Sequence, residues 1–313
     1  MISSIGGLHL IHTITKKGVK SMLVLKLAYM GELDFIKELQ ELKTLLKNKE
    51  IVIGLVEKIE GKTHLVKVMC DEECYSDEVF EKIKIYISEV LYGIVIKNYK
   101  EKELFEFLTD TYFFLKQDEI LEVEKNIMDT LYRRRGIKDE TSVYCENKIN
   151  KIVSKIKKCL EEKNELNING FITFRMRELR DDIERVIDKV VEKYMVEKEY
   201  REFIKLLKYF VDIQDSKVER VDIIIHKDGG YNVVDENNND LFDEFMNELT
   251  DCKLGVDASI EDVIISGLIT NAPKKIKIYR KKYCTNKEFI DTIINVFGER
   301  VEFVNEYEVN NLL

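Results

Sequence analysis

At 313 residues, with 45% apolar and 35% charged residues, the chain has enough apolar material for a packed core, so a disordered protein is not expected. Its 59 acidic and 50 basic residues give a net charge of −9, so the chain as a whole does not attract nucleic acid or anionic lipid. No apolar run reaches the roughly 20 residues of a membrane span. The six cysteines are scattered, which indicates reduced thiols and a cytoplasmic location.

The N-terminal part begins with a segment, residues 1–21, whose lysines follow its apolar part, which is the reverse of a signal peptide. We predict a weakly ordered extension there. Residues 22–98 then predict a small α/β domain in the order strand, helix, strand, strand, helix. Its hairpin turns around Gly61, and Ser76 is placed to cap its second helix.

Residues 99–313 predict a helical region followed by a C-terminal α/β part. Apolar residues spaced three and four apart predict one helix over about 170–194 and a second over about 198–209. We expect both helices to pack against a common interior and to leave no polar pocket between them. In the second helix, this packing places Phe203 and Phe210 inward.

After Gln214 the apolar period changes from that of a helix to that of a strand. Strands are predicted at 218–226, 231–234, 275–279 and 301–304. A turn at Asp228-Gly229-Gly230 predicts a hairpin, and Ser259 and Asn286 are placed to cap the intervening helices. The predicted fold class is therefore a helix-rich α+β or mixed α/β fold with a C-terminal mixed sheet, in which parallel crossovers are allowed.

Several separated segments resemble the YtxC-like family. They are NINGFITFR at 167–175, EKEYREFI at 197–204, LKYFVDIQ at 207–214, ISGLITNAPKKI at 265–276 and NVFGERV at 295–301. Their order and spacing also agree, and the similarity is strongest over 167–301. The resemblance implies a protein of sporulation in endospore-forming bacteria, and it carries over no catalytic residue and no cofactor.

The first turns of the signature helix carry Phe171, Phe174, Arg175 and Arg177. Aromatic side chains beside arginine are typical anchors of protein interfaces, so these four residues predict a partner-binding surface. The mixed charges that follow them are also typical of a solvated helix face. We therefore predict a function through protein contacts, with the partner and the oligomeric state open, and with no catalytic residue and no cofactor.

The most basic segment of the chain, residues 274–283, favours an alternative function. Basic residues interleaved with tyrosine are typical of a nucleic-acid surface. The candidate residues are Lys274, Lys275, Lys277, Arg280, Lys281 and Lys282. We prefer an amphipathic strand with Ile276 and Ile278 inward, because the whole chain is acidic.

A second alternative is an enzyme with a site near Ser266, Thr270 and Asn271, expected at the carboxyl ends of the C-terminal strands, where open α/β sheets bind ligands. No nucleophile motif supports this alternative. A metal site is not predicted, because Cys70 and Cys74 have no second closely spaced pair of ligands.

Overall fold

The protein combines two four-stranded mixed sheets with long helices, in the part of the chain that a computed structural model describes, residues 21–30, 35–72, 76–162, 165–251 and 259–304. The strands are Ser21–Met30 (β1), Ile53–Glu60 (β2), Thr63–Asp71 (β3), Glu165–Asn167 (β4), Arg220–Ile225 (β5), Tyr231–Asp235 (β6), Lys275–Tyr279 (β7) and Val301–Val304 (β8). The helix-rich α+β class is confirmed.

The helices make up most of the described residues. They are Phe35–Lys47 (α1), Asp77–Tyr99 (α2), Phe105–Thr111 (α3), Gln117–Leu131 (α4), Glu140–Glu162 (α5), Ile168–Ile213 (α6), Phe242–Asp251 (α7), Ile260–Asn271 (α8) and Lys287–Phe297 (α9). A π-helical turn at Lys100–Leu104 joins α2 to α3. Short 3-10 turns lie at Lys281–Tyr283 and Gly298–Arg300.

The first sheet has the strand order β2-β3-β1-β4. Strand β1 pairs antiparallel with β3 and parallel with β4, so the sheet is mixed. The hairpin between β2 and β3 turns at Gly61, whose φ of 63° lies in the left-handed region that favours glycine. The Ser76 hydroxyl accepts a hydrogen bond of 3.2 Å from the Val79 N–H and caps α2, as predicted.

The chain divides into two compact units, one ending at Tyr194 and the other beginning at Met195. A separate domain over 22–98 stays a prediction. The predicted extension over 1–21 lies outside the described residues, apart from Ser21, which begins β1.

Helix α6 corrects the predicted pair of helices. The segments over about 170–194 and 198–209 are parts of one continuous helix, Ile168–Ile213. The residues between them, Met195, Val196 and Glu197, include no glycine or proline, so nothing in the backbone ends the helix there.

The second sheet has the strand order β6-β5-β7-β8, and its last three strands are parallel. Its larger core lies on one face, where the strands pack against α8 and α9. The buried residues of this core include Val221, Ile223, Ile276, Ile278, Ile264, Leu268, Phe289 and Ile293. The predicted N-caps are confirmed, because the Ser259 and Asn286 side chains each accept a hydrogen bond from the first turn of their helix.

Parallel pairing decides where functional side chains of the second unit meet. The carboxyl ends of β5 and β7 lie at the same edge of the sheet, at His226 and Arg280. The hairpin from β5 to β6 turns at this same edge, and Gly229 has a φ of 90° in the turn. This confirms the predicted hairpin.

Candidate functional site

Two asparagines of the signature segment, Asn167 and Asn169, make structural hydrogen bonds. The Asn167 Oδ1 accepts a hydrogen bond of 2.9 Å from the Gly170 N–H and holds the start of α6. The Asn169 side chain accepts from the Met30 N–H at 2.7 Å and donates to the Met30 carbonyl at 3.2 Å. The two asparagines therefore tie the end of β1 to the beginning of α6, which explains these two positions without a ligand.

The four residues predicted to bind a partner have different environments. Phe171 is buried, with 5% of its surface exposed, so it packs inside the first unit. Phe174 is 79% exposed. The Arg175 guanidinium contacts both carboxylate oxygens of Glu178, at 2.8 and 2.9 Å. Arg177 is exposed. Partner binding stays a prediction for the three surface residues, whereas Phe171 is not part of that surface.

The second part of α6 presents a larger apolar surface, which we call the α6 stripe. It consists of Val196, Phe203, Leu206, Phe210 and Ile213, each between 44% and 61% exposed. The expectation that Phe203 and Phe210 point inward is wrong. The inward positions are Ile204, Leu207 and Val211, which pack against the core of the second unit.

The spacing of the stripe is that of a helix-pairing surface. From Val196 to Ile213 its members are separated by seven, three, four and three residues, which is the heptad pattern of a helix that packs against another helix. Sequence reasoning missed this second face, because inward and outward apolar residues are interleaved within one helical segment, 203–213. The heptad spacing was the signal that could have found it.

Most of the basic residues predicted to bind nucleic acid contact other side chains of the chain. Lys274 pairs with Glu219, and Lys275 pairs with Glu302 at 2.6 Å. In the sheet register, Lys277 lies opposite the fully buried Asp222. The Lys281 ammonium lies 4.3 Å from the Phe303 ring centroid. Nucleic-acid binding by these residues stays a prediction.

The remaining two, Arg280 and Lys282, line a cavity at the carboxyl edge of the second sheet. The cavity has a volume of about 680 Å³. Its lining residues are His226, Lys227, Asp228, Arg280, Lys282 and Tyr283. The hairpin after β5 supplies the first three, and the turn after β7 supplies the others, so the parallel pairing of β5 and β7 creates this site.

The backbone at Arg280 is unusual. Its φ of 58° and ψ of 38° are left-handed, a conformation in which side chains other than those of glycine, asparagine and aspartate are uncommon. The Tyr283 N–H donates to the Arg280 carbonyl at 2.9 Å and closes the turn. Non-glycine residues in this region often occur at functional sites.

The proposed enzyme residues lie at the opposite edge of the sheet. Ser266, Thr270 and Asn271 belong to α8, which ends just before the amino end of β7. The Asn271 side chain is buried and donates to the Gly267 carbonyl at 3.0 Å, which is a structural contact. The expected position at the carboxyl ends of the strands is therefore wrong, and that edge carries the cationic cavity instead.

Two negative findings apply to the residues that the structure describes. No group of three or more His, Cys, Asp and Glu side chains is arranged there to hold a metal ion. Cys70 is buried, and Cys74 lies outside the described residues. Within the same residues, no helix combines the length and the apolar character needed to cross a membrane.

Comparisons with known proteins agree with the sequence resemblance. A family described as the YtxC-like family matches residues 85–302. A protein of Bacillus subtilis (strain 168), named "Uncharacterized protein YtxC", is 23% identical over 242 residues, which cover 71% of this chain and 77% of that protein. No solved structure matches the chain.

Proposed function

Because the chain belongs to the YtxC-like family, we propose that it acts in the cytoplasm of sporulating cells, through contacts between the α6 stripe and another protein. The role in sporulation rests on what the family resemblance implies. The protein contact rests on one observation, namely that the second part of α6 is apolar on two faces, of which one lies in solvent.

An apolar helix face that lies in solvent is unfavourable in water. A helix that is apolar on one side packs that side on its own core, whereas a helix with a second apolar side needs a second cover. Phe203 and Phe210 are each about half exposed, and exposed apolar patches of this kind mark interaction sites. Burial of such aromatic side chains commonly dominates the free energy of a protein interface.

The spacing of the stripe indicates what the partner presents. Residues at heptad positions fit between the side chains of a second helix, so the partner presents an amphipathic helix. Lys205, beside the stripe, already pairs with Glu202 at 2.9 Å, so the complementarity of the partner rests on the apolar residues.

The test is a chromosomal replacement that places charge in the stripe. In the spore-forming host of this gene, Phe203→Glu combined with Phe210→Glu should lower the count of heat-resistant spores as far as deletion of the gene does. The physical reason is that two carboxylates cannot be buried against an apolar partner helix without a large desolvation cost. Thermal unfolding of the purified double variant should be close to that of the wild type, since both side chains are exposed.

The matched control is Lys208→Glu, which places the same carboxylate on the exposed solvent side of the same helix. This variant should leave the spore count unchanged. Normal sporulation of the double variant contradicts the role of the stripe, and normal sporulation of the deletion strain contradicts the role in sporulation. Size-exclusion chromatography with light scattering tests whether the partner is a second copy of this chain. If the wild type is a dimer and the double variant is a monomer, the stripe binds a second copy, which contradicts a different protein as the partner.

A further inference from the structure

We infer that the cationic cavity at the carboxyl edge of the second sheet binds a small molecule that carries a phosphate monoester. The proposal is independent of the α6 stripe. Residues from two loops far apart in the sequence, Lys227 after β5 and Arg280 after β7, meet there because the two strands are parallel neighbours.

The charge of the lining favours a dianion. Lys227, Arg280 and Lys282 carry three positive charges against the single carboxylate of Asp228, in a chain whose net charge is −9. Asp228 is already engaged, since its Oδ1 accepts a hydrogen bond of 3.0 Å from the Gly230 N–H within the hairpin. Lys227 and Arg280, which have no ion pair among the described residues, supply two positive charges for a phosphate monoester, which carries a charge of about −2 near neutral pH.

The donors also have the geometry that such a group needs. An arginine guanidinium presents paired N–H groups that bind two oxygens of a phosphate at once, and a lysine ammonium adds a compact charge. The described residues place no carboxylate in an ion pair with Arg280 or Lys227. In this respect the two differ from Lys274 and Lys275, which are paired with glutamates. Arg280 and Lys227 therefore keep their charges directed at the cavity.

The backbone of the turn supports a ligand role for Arg280. The left-handed conformation would suit glycine, yet the position carries a long cationic side chain. Backbone strain of this kind persists where the surrounding structure uses the side chain. The turn directs Arg280 into the same cavity as His226 and Tyr283, which can contact the rest of the ligand.

The cavity is larger than a bare oxyanion. A volume of about 680 Å³ lies within the range of small-molecule sites and leaves room for an organic part beside the phosphate. The site does not extend into a track for a polymer. The basic residues that would continue it, Lys274, Lys275 and Lys277, belong to β7 or precede it, and carboxylates neutralise or oppose them. A single strand of nucleic acid would need contacts over several nucleotides.

The experiment is calorimetric titration of the full chain with four probes, inorganic phosphate, adenosine monophosphate, adenosine and a single-stranded oligonucleotide. We expect binding of phosphate or of the monophosphate, and none of adenosine. Arg280→Gly should weaken this binding about tenfold or more, because it removes charge-assisted hydrogen bonds. Glycine adopts the left-handed conformation without strain, so the melting temperature of this variant should not fall below that of the wild type.

Two further variants locate the site. Lys227→Gln should weaken binding by a smaller factor, whereas the matched control Lys274→Gln, which removes the same charge outside the cavity, should leave it unchanged. The proposal is overturned if neither phosphate probe binds, if Arg280→Gly binds as tightly as the wild type, or if adenosine binds as well as its monophosphate. Tighter binding of the oligonucleotide that depends on Lys274 also overturns it and favours a nucleic-acid surface.

Discussion

The two parts of helix α6 have the same apolar spacing and different surroundings. Between Ile183 and Tyr194 the apolar residues are buried, as Ile183, Ile187 and Val190 show. After Met195 a comparable number of apolar side chains are exposed, and Leu206 and Phe210 are about half in solvent. The comparison teaches that helical periodicity identifies an apolar face but does not say whether the protein itself covers that face.

The largest effect should come from truncating a buried residue of the first part. Ile187→Ala removes a fully buried side chain, and we expect it to lower the free energy of unfolding by about 2–5 kcal/mol, through lost apolar burial and the cavity left behind. Urea unfolding followed by far-UV circular dichroism measures this change. A loss of under about 1 kcal/mol would contradict the assignment of this part of α6 to a packed core.

A polar contact of the first part should give an intermediate, pH-dependent effect. Asp182 is buried, and its carboxylate lies 2.6 Å from the Lys155 ammonium and 3.5 Å from that of Lys151. Burial alone would raise the pKa of Asp182, but the two lysines outweigh it, so this pKa lies below its ordinary value. The folded state thus favours the charged carboxylate, and the stabilisation is present above the ordinary pKa and is lost as pH falls through the lowered one.

We therefore expect Asp182→Asn to lower the free energy of unfolding by about 1–3 kcal/mol at neutral pH. The difference from the wild type should shrink below about pH 4, where the carboxylate of the unfolded chain is protonated. Urea unfolding at several pH values measures it. A difference that stays constant from neutral to acidic pH would show that the ion pairs with Lys155 and Lys151 do not stabilise the helix.

The smallest effect should come from the exposed second part. Leu206→Ala removes as much apolar volume as Ile187→Ala, yet we expect a change within about 0.5 kcal/mol, because the side chain is half exposed in the isolated chain. Far-UV circular dichroism in urea again measures it. A cost close to that of Ile187→Ala would mean that the stripe is covered in solution, and it would remove the contrast between the two parts of the helix.

Local sequence signals predicted the parts of the fold that depend on neighbours in the chain. Ser76, Ser259 and Asn286 cap helices because a side-chain oxygen reaches an N–H within the same turn. Strands β7 and β8 have the predicted bounds, 275–279 and 301–304. The predicted break between the two helices of α6 was wrong, since no glycine or proline interrupts the helix there.

The candidate sites depended on contacts that no local signal contains. The sequence identified Arg280 and Lys282 as basic residues. The strand geometry places them at the carboxyl end of β7, whereas Lys275 lies at its amino end. Lys227 was missed, although a basic residue directly after each of two strands was a usable signal. Which strands are neighbours had to be known before that signal could be interpreted.

By itself, the sequence determined a helix-rich α+β protein of the YtxC-like family with capped helices and a C-terminal hairpin, because caps, turns and apolar periods act over a few residues. The tertiary structure alone decided that Phe203 and Phe210 lie in solvent and that Arg280 meets Lys227. The physical reason is that the covered face of a helix, and the strands that share an edge, are set by packing between distant segments of the chain.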